Sequence, residues 1–488
     1  MVVVVGGGAS GLGVAWDLTL RGIPVTVVEA GEIGAGTSGR FHGLLHSGAR
    51  YVVADPVSAR QCYQENQILR RVAGAAIEDT GGYFIAVGEE DDYEARWLSA
   101  MRDAGIPAVP VEASALNARI SGLNPAQRGG YWVPDAVLEG FRLLYLLSDN
   151  VAARGGKILT HSRLMRVHQR NGRVVGATLH TPQGMVDLAC DAVVNAAGPW
   201  AGGVARLFSD TLSMHLAAGV MLLFAYRRVP VVVNRLAYPG DGDIFVPHGK
   251  TVIFGTTDVR QDAPEPPVPS RAEVEALLRK GQDLFPDIAA WRALRAFSGV
   301  RPLYANESAT SSRHVSRDFS IINHGARVGL DGAFSLVGGK WTTFRLMAER
   351  LGDEVARYLK VSAPCRTAEM PLADPRPRGS AGLSPVVCEC EGVTVQELSA
   401  WKEVGPDEWR ARTWWAMGPC QGTMCLHRGL SLQPAAGAEG WRRRVEAVRA
   451  ERARGFWPAA YGDNAREFQL QQAVRFQTLG EEDADGNP

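Results

Sequence analysis

An α/β fold built from more than one domain is predicted for this chain, and three observations support it. The 488 residues exceed the roughly 250–300 that a single hydrophobic core accommodates. The β-branched run Val2–Val5 leads through glycines into a helical pattern over 9–21, and a second strand follows at Val25–Val28. Such patterns recur later, with strands predicted at 244–246, Thr251–Gly255 and 319–322 and a helix at 272–284.

Composition excludes several classes of protein. Basic and acidic residues balance at 52 each, so no nucleic-acid partner is expected. The seven cysteines are an odd number, with four near the C-terminus, which is unlike a secreted disulfide framework. The N-terminus lacks the basic and apolar regions of a signal peptide, and the longest apolar run, 216–226, is shorter than the about 20 residues that span a bilayer. We therefore expect a soluble, cytoplasmic chain without a transmembrane segment, and a peripheral position on the inner face of the cell membrane stays open.

The N-terminal segment has the pattern of a dinucleotide site. Gly6, Gly8 and Gly11 form G-x-G-x-x-G between the first strand and the helix, where glycines allow a pyrophosphate to approach the backbone and the helix N-terminus. Glu29 ends the second strand and can accept hydrogen bonds from a ribose 2′-hydroxyl, which disfavours NADP. This motif alone leaves both NAD and FAD open.

Two further segments favour FAD. A glycine-rich polar loop with two histidines occupies residues 34–51, where a simple NAD domain would continue into another βα repeat. A later strand, Ala192–Asn195, ends in small residues at 196–198 that let a strand end lie close to a cofactor. The sequence therefore predicts a Rossmann-like FAD domain.

Together with motifs farther along the chain, these segments closely resemble the FAD-dependent glycerol-3-phosphate dehydrogenases, and best the large (A) subunit of the anaerobic-type respiratory enzyme. The segments that carry the resemblance are 6–13, SGRFHGLLHSGARY at 38–51, 194–200, GTTD at 255–258, SGVRPL at 298–303, SRD at 316–318 and GGKWTTFR at 338–345. Trp341 departs from the Leu that the family usually has beside the flavin.

The resemblance implies an interleaved domain order. An oxidoreductase unit over 1–365 would combine an FAD part, at about 1–70, 145–210 and 330–360, with a sheet-based substrate part at about 71–144 and 211–329. A linker at 366–385, a small iron–sulfur domain at 386–432 and a helical extension with a tail at 433–488 would follow. Within the last segment, 441–456 is a basic helical pattern expected to pack back on the protein, with a docking surface as the alternative. The acidic tail at 481–485 is expected to be disordered.

The predicted cofactor-binding residues combine the glycine motif with the matched segments. They are Gly6, Gly8, Ala9, Ser10, Gly11, Glu29, Ala30, Thr37, Ser38, Arg40, His42, Gly43, Leu44, Val167, Ala197, Gly198, Trp200, Gly339, Lys340, Trp341 and Thr342.

The substrate implied by the resemblance, sn-glycerol 3-phosphate, is a dianion. We assign Arg50 and Arg317 to its phosphate and Arg301 to its other oxygens, with Tyr51 beside them, because arginine binds phosphate through two donors. Lys340 would face the flavin N1/C2 edge. His46 is the candidate base, since the ordinary pKa of histidine lies near working pH, although a structural histidine is the alternative. His42 could contact the flavin, and a covalent link to it is not expected.

Arg313 and Arg345 lie near these motifs in sequence. Both are expected to be solvated surface cations, the commonest situation of arginine.

Four C-terminal cysteines form a C-x-C…C-x4-C pattern at Cys388, Cys390, Cys420 and Cys425. Four thiolates suit a [2Fe–2S] cluster or a structural zinc, and C-x-C spacing counts against zinc. The spacing resembles the bacterioferritin-associated-ferredoxin-like [2Fe–2S] domain of the respiratory enzyme. Such a cluster would pass electrons to a quinone through partner subunits.

Two other functions stay open at this point. A related flavin enzyme, a dehydrogenase or oxidase of amines, amino acids or 2-hydroxy acids, would need one arginine for a carboxylate rather than a basic cluster. A non-catalytic scaffold is the second alternative, and the presence of His46, Lys340 and the arginines argues against it.

Overall fold

A six-stranded sheet lies at the centre of the first unit of the computed structural model, which describes residues 1–88, 91–304, 319–375, 384–434 and 437–477. Neighbouring strands are parallel except for the outermost pair. The predicted strands at Val2–Val5, Val25–Val28 and Ala192–Asn195 are confirmed. In spatial order the strands are Phe319–Asn323, Ala333–Gly338, Ala192–Asn195, Val2–Val5, Val25–Val28 and Lys157–Leu159.

Helices cover this sheet because its strands are apolar on both faces. The first helix, Ala9–Leu20, ends one residue before the predicted 9–21 and packs against Phe344–Leu359 and Gly140–Ala153. The approach is close, since a Cβ built on Gly13 would lie 2.9 Å from the Phe344 ring. Helix Pro56–Val72 begins at Asp55, whose side chain accepts a hydrogen bond from the Ser58 amide.

A nine-stranded mixed sheet forms the second unit. Most of the long apolar run at 216–226 lies in the strand Met214–Ala225, which pairs with Ala293–Tyr304 along most of its length. The helix predicted at 272–284 is Arg271–Gly281, which begins at a Ser270–Glu273 capping box. In spatial order the other strands are Val259–Gln261, Thr251–Gly255, Ile244–His248, Val232–Arg235, Gly82–Val87, Gln127–Val133 and Val109–Val111.

Shorter elements complete the two units. The three-stranded sheets are Arg163–Arg170, Arg173–Thr181 and Gly184–Ala189, and Leu44–Leu45, Ala136–Leu138 and Ile77–Glu78. The remaining helices of these units are Asp91–Ala104, Ala113–Arg119, Ala201–Ala205 and His324–Val328.

The interleaving of the two units differs from the prediction at one border. Strand Phe319–Asn323 was expected in the substrate part, 211–329, but it belongs to the six-stranded sheet. This strand forms an antiparallel pair with Ala333–Gly338, and a short connection that contains the helix His324–Val328 joins the two strands. A hairpin of this length keeps both strands in one sheet, so the border lies before residue 319.

A small third unit contains the four cysteines. It has its own core, in which Trp409 and Trp415 are fully buried. Its elements are the strand pair Val386–Cys388 and Val393–Thr394 and the helices Val395–Ser399, Pro406–Thr413, Leu426–Leu430 and Gly437–Ala453.

The polypeptide on either side of this unit is fixed to the other two units. In the predicted linker, the Leu372 amide donates to Val72 O at 2.8 Å. After the helix Gly437–Ala453, the helices Phe456–Ala459 and Asn464–Gln477 place Phe456 and Phe468 in the core of the nine-stranded sheet. The prediction that 441–456 packs back on the protein is confirmed, whereas the middle of the linker and the acidic tail lie outside the described residues.

Arg345 corrects one prediction, because it is not a solvated surface cation. Only 5% of the residue is exposed, and its guanidinium forms two hydrogen bonds with Glu65, at 2.6 and 2.7 Å. It also donates to Thr367 Oγ1 at 2.9 Å. The ion pair raises the pKa of Arg345 further above its ordinary value, although burial opposes this. Arg313 lies outside the described residues.

Replacing Arg345 by Met is expected to lower the free energy of unfolding by about 3–5 kcal/mol, because Glu65 would stay buried without its counter-ion. Arg350→Met, an exposed position on the same helix, is the matched control and should change this free energy by less than about 0.5 kcal/mol. Urea unfolding followed by circular dichroism measures both. Equal stabilities of the two variants would contradict the role of the buried pair.

Candidate functional site

The turn after the first strand is tightly enclosed by backbone. Gly6 has φ +113°, and a Cβ on it would lie 2.5 Å from Ala196 O, at the end of the neighbouring strand. A Cβ on Gly11 would overlap Gly6 O. Glycine is therefore required at both positions, which is the role that the G-x-G-x-x-G pattern predicts.

A cavity of about 780 Å³ opens beside this turn. Glu29 lines this cavity, and its carboxylate accepts hydrogen bonds from the amides of Gly7 at 2.7 Å and Gly31 at 2.8 Å. The predicted cofactor residues that line the cavity are Gly6, Gly8, Ala9, Ser10, Glu29, Ala30, Thr37, Ser38, Arg40, Ala197, Gly198, Trp200, Gly339, Lys340 and Trp341.

Six predicted cofactor residues lie outside this lining. His42 lines a second cavity, whereas Gly11, Gly43, Leu44 and Thr342 line neither of the two. Val167 also lies outside the lining, farther along the strand Arg163–Arg170, and its role at the cofactor stays a prediction. Residues 162–165 line the cavity, and sequence reasoning missed them because no local motif marks them.

Trp341 has a definite role in this wall. Its indole donates to Ser38 O at 3.0 Å, and its ring stacks on Phe41 with centroids 5.3 Å apart. A leucine at this position could form neither contact. Trp341 therefore links the loop at 38–41 to the strand end at 338–341.

The cavity fits a dinucleotide cofactor. Its volume lies within the range of about 300–1,000 Å³ usual for ligand sites. A helix N-terminus, an acidic strand end and a glycine turn without side chains are brought together at one end, as pyrophosphate and ribose require.

A second cavity of about 640 Å³ adjoins the first, and Thr37 and Arg40 line both. It contains the candidate base and the predicted substrate residues His46, Arg50, Tyr51 and Arg301. Arg317 lies outside the described residues. The acidic residues Asp55, Asp241 and Asp258 also line it, which the sequence analysis did not foresee.

His46 is held inside this cavity by its loop. The residue is 7% exposed, and its Nε2 lies 3.4 Å from the Tyr51 hydroxyl. Its amide donates to Thr342 Oγ1 at 3.1 Å, which links the histidine loop to the strand end that carries Lys340.

Asp135 and Asn66 hydrogen-bond to the backbone of the histidine loop, and neither residue was predicted from the sequence. Asp135 Oδ1 accepts from the Ser47 amide at 2.6 Å, and burial raises the pKa of this carboxyl. The Asn66 amide donates to the carbonyls of Leu45 and His46, both at 3.3 Å. Neither residue lines the two cavities described above, and both hydrogen-bond to the backbone of the loop.

Arg50 and Arg301 each pair with a carboxylate of their own. Arg50 lies 3.1 Å from Asp243, and Arg301 lies 3.1 Å from Asp258 and 3.0 Å from Thr256 Oγ1. These bonds hold the planar guanidinium groups in fixed orientations, as bidentate anion binding requires.

Lys340 lies at the junction of the two cavities. It lines the first, while its ammonium donates to Ser58 Oγ at 3.0 Å and lies 5.2 Å from the centroid of the Tyr51 ring. Its positive charge can therefore act on ligands of either cavity.

The four C-terminal cysteines contact one another as a chain of pairs. Cys425 is the shared partner, and hydrogen bonds with its thiol lower the pKa of Cys388 to about 6 and that of Cys420 to about 5. Cys420 also contacts Cys390. Among the described residues, no group of three or more His, Cys, Asp or Glu side chains is arranged so that it could hold a metal ion.

Backbone groups surround these sulfurs. The amide groups of residues 416 and 391 face Cys388, and those of residues 424 and 422 face Cys420. A Cβ on Gly418 would lie 2.5 Å from the Cys390 Cβ, so only glycine allows this approach. N–H groups directed at thiolates are the surroundings expected of an iron–sulfur site.

Among the described residues, no helix combines the length and apolar character needed to cross a membrane.

The chain is similar to known proteins over most of its length. Residues 1–345 match the family model described as FAD dependent oxidoreductase. The chain is 37% identical to the A subunit of the anaerobic glycerol-3-phosphate dehydrogenase of Escherichia coli K12, over 97% of this chain and 95% of that protein. It is 36% identical to the A1 subunit of the anaerobic glycerol-3-phosphate dehydrogenase of Haloferax volcanii, over 99% and 91%.

A solved structure shares the fold over nearly the whole chain. The glycerol-3-phosphate dehydrogenase of Bacillus halodurans, complexed with FAD, superposes with a TM-score of 0.59 at 21% identity, covering 98% of this chain and 93% of that one. The chain therefore belongs to the FAD-dependent oxidoreductases, within the family of the large subunits of anaerobic glycerol-3-phosphate dehydrogenases.

Proposed function

We propose that this protein oxidises sn-glycerol 3-phosphate to dihydroxyacetone phosphate with FAD in the first cavity. Electrons would then leave through a [2Fe–2S] cluster held by the four cysteines. The proposal rests on the junction of the two cavities, which share Thr37 and Arg40 in their walls. There, a cavity that suits a dinucleotide meets a cavity lined by arginines and a histidine. The relatives named above support the choice of substrate.

FAD would be held by the glycine turn, Glu29 and the strand end at 338–341. When bound, it supplies the acceptor for the hydride at C2 of the substrate. Lys340 and the N-terminus of helix Phe344–Leu359 would stabilise the negative charge that develops during this transfer.

The arginines would bind the phosphorylated end of the substrate. Both hydrogen bonds that Arg50 makes to described residues come from Nη2, which leaves Nε and Nη1 to donate to phosphate oxygens. Arg301, held by Asp258 and Thr256, would orient the remaining substrate oxygens, and we keep Arg317 as a second phosphate ligand.

His46 would take the proton of the C2 hydroxyl. Its Nε2 faces the Tyr51 hydroxyl, which can donate to it and so favour the tautomer with the proton on Nδ1. The substrate hydroxyl would then replace Tyr51 as the donor to Nε2. Asp135 and Asn66 would keep the ring in place, since they bind the backbone on either side of it.

The four cysteines would hold the cluster. Their mutual contacts and the N–H groups around Cys388 and Cys420 support this choice, and the C-x-C spacing argues against zinc. When bound, a [2Fe–2S] cluster supplies one-electron transfer. We propose a quinone as the final acceptor, reached through partner subunits at the inner face of the cell membrane.

Anaerobic addition of glycerol 3-phosphate to the purified protein is expected to bleach the flavin absorption, because hydride transfer to FAD needs no external acceptor. Glycine and lactate serve as matched controls for the amino-acid and 2-hydroxy-acid alternatives, and neither should bleach it. Absorption spectroscopy in a sealed cuvette measures the three reactions. An unchanged flavin spectrum with glycerol 3-phosphate would reject the proposed substrate.

His46→Ala is expected to lower kcat by about 10²–10⁴-fold while FAD stays bound, because the proton acceptor is lost but no cofactor contact is removed. Dye-linked turnover and the flavin content of the purified variant measure these effects. His161→Ala removes an exposed histidine that pairs with Glu32, so it should keep wild-type turnover. Near-normal turnover of His46→Ala would exclude the histidine as the base.

Cys420→Ser is expected to abolish the electron paramagnetic resonance signal of a reduced [2Fe–2S] cluster and to lower the iron content, because one of four ligands is lost. Bleaching of the flavin by substrate should persist, since the FAD cavity is separate. Cys365→Ser is the control and should keep the signal, because Cys365 lies outside the four-cysteine pattern. Zinc without iron in the wild-type protein would overturn the cluster.

A further inference from the structure

Two aromatic side chains join the oxidoreductase part to the cysteine unit. His248 ends strand Ile244–His248, whose first residue lines the second cavity. Trp414 follows helix Pro406–Thr413 of the cysteine unit. Their ring centroids are 4.3 Å apart and their planes are inclined by 59°. The rings are therefore in direct van der Waals contact across the interface.

On the oxidoreductase side, His248 lies against the histidine-rich loop. A Cβ built on Gly43 would lie 3.6 Å from His248 Nδ1, and Gly43 directly follows His42 in the second cavity wall. Nδ1 is buried without a hydrogen-bond partner among the described residues. Burial lowers the pKa of His248 to about 4, so the ring is neutral near pH 7. Its contribution at this position is packing rather than charge.

On the other side, Trp414 reaches the residues next to the cysteines. A Cβ on Gly249 would lie 3.2 Å from Trp414 Cζ3 and 3.0 Å from Glu391 Oε2. Glu391 directly follows Cys390, and both face Gly418, where a Cβ would lie 2.5 Å from the Cys390 Cβ. The two rings thus lie between the loop at Gly43 and the residues beside Cys390.

The backbone at Trp414 adopts a conformation that is usual for glycine. Its φ is +67°, a left-handed conformation that is unfavourable for a residue other than glycine. The Trp414 amide donates to Arg410 O at 2.9 Å, and its carbonyl accepts from the Met417 amide at 3.0 Å. A large ring kept where glycine would fit better is the kind of outlier that points to a function.

We propose that His248 and Trp414 form the path by which electrons cross from FAD to the four-cysteine site. Oxidation of one substrate molecule releases two electrons, which cross one at a time, each reducing the oxidised cluster by one electron. An external acceptor, a quinone or a dye, takes both electrons and two protons per turnover. No bond of either side chain forms or breaks. This inference rests on the proposed flavin and cluster.

The test separates reduction of the flavin from reduction of the cluster. Full-length protein is mixed anaerobically with glycerol 3-phosphate, flavin bleaching is followed by stopped-flow absorption, and the cluster signal is followed in freeze-quenched samples by electron paramagnetic resonance. In Trp414→Leu and His248→Leu, cluster reduction should slow several-fold, whereas flavin bleaching, iron content and both midpoint potentials should match wild type. Trp414→Phe, which keeps an aromatic ring, should recover part of the rate.

Trp457→Leu is the matched control, because this tryptophan is 60% exposed and belongs to the helix Phe456–Ala459 rather than to the two segments that meet at His248 and Trp414. It should reduce its cluster at the wild-type rate. Should Trp414→Leu lose iron, His248→Leu decides the outcome, since it changes no residue of the cysteine unit. Cluster reduction at the wild-type rate in His248→Leu would overturn the path and leave the proposed function intact. A wild-type protein whose flavin does not bleach, or that shows no cluster signal, would reject the proposed function itself.

Discussion

The close approach of two strand ends at Gly6 is the constraint on which the rest of the first unit depends. Ala196 O lies where a side chain of residue 6 would have to be. This contact keeps the strand Ala192–Asn195 beside Val2–Val5 and so brings residues 197–200 to the cavity. The Asn195 side chain then bonds Ser335 Oγ at 3.0 Å, which itself contacts the buried His324 at 2.7 Å. Hydrogen bonds buried in this way are costly to leave unmade, so the arrangement is fixed as one piece.

The sequence predicted well those parts of the fold that contiguous segments encode. The strand–glycine–helix pattern at the N-terminus is a local signal, and the predicted strands and most of the predicted cavity residues follow from it and from the matched motifs. Arg345 was interpreted wrongly because its partner, Glu65, lies 280 residues earlier. Asp135 carried no signal either, since its role depends on a loop 88 residues away. Residues 162–165 carried no local motif, so their place in the cavity wall could not be read from the sequence.

Charge in the second cavity shows a further limit of reasoning from residue types. The sequence shows only how many arginines are near the site, whereas in the structure Arg50 is paired with Asp243 and Arg301 with Asp258. The positive potential of the cavity is therefore weaker than the number of arginines suggests. In exchange, the guanidinium groups are oriented before a ligand arrives, so less conformational entropy is lost on binding. For a small anion, this orientation matters as much as net charge.

The packing of the chain on both sides of the cysteine unit has a consequence for how that unit moves. Residue 372 is bonded to the first unit, Phe456 and Phe468 lie in the core of the second, and Arg412 forms two hydrogen bonds with Asp149, at 2.8 and 2.9 Å. A module attached through one flexible tether can swing between a donor and an acceptor, but a module anchored at both ends and at its middle cannot. In the proposed electron transfer, the described part of this unit therefore stays at a constant distance from the FAD cavity.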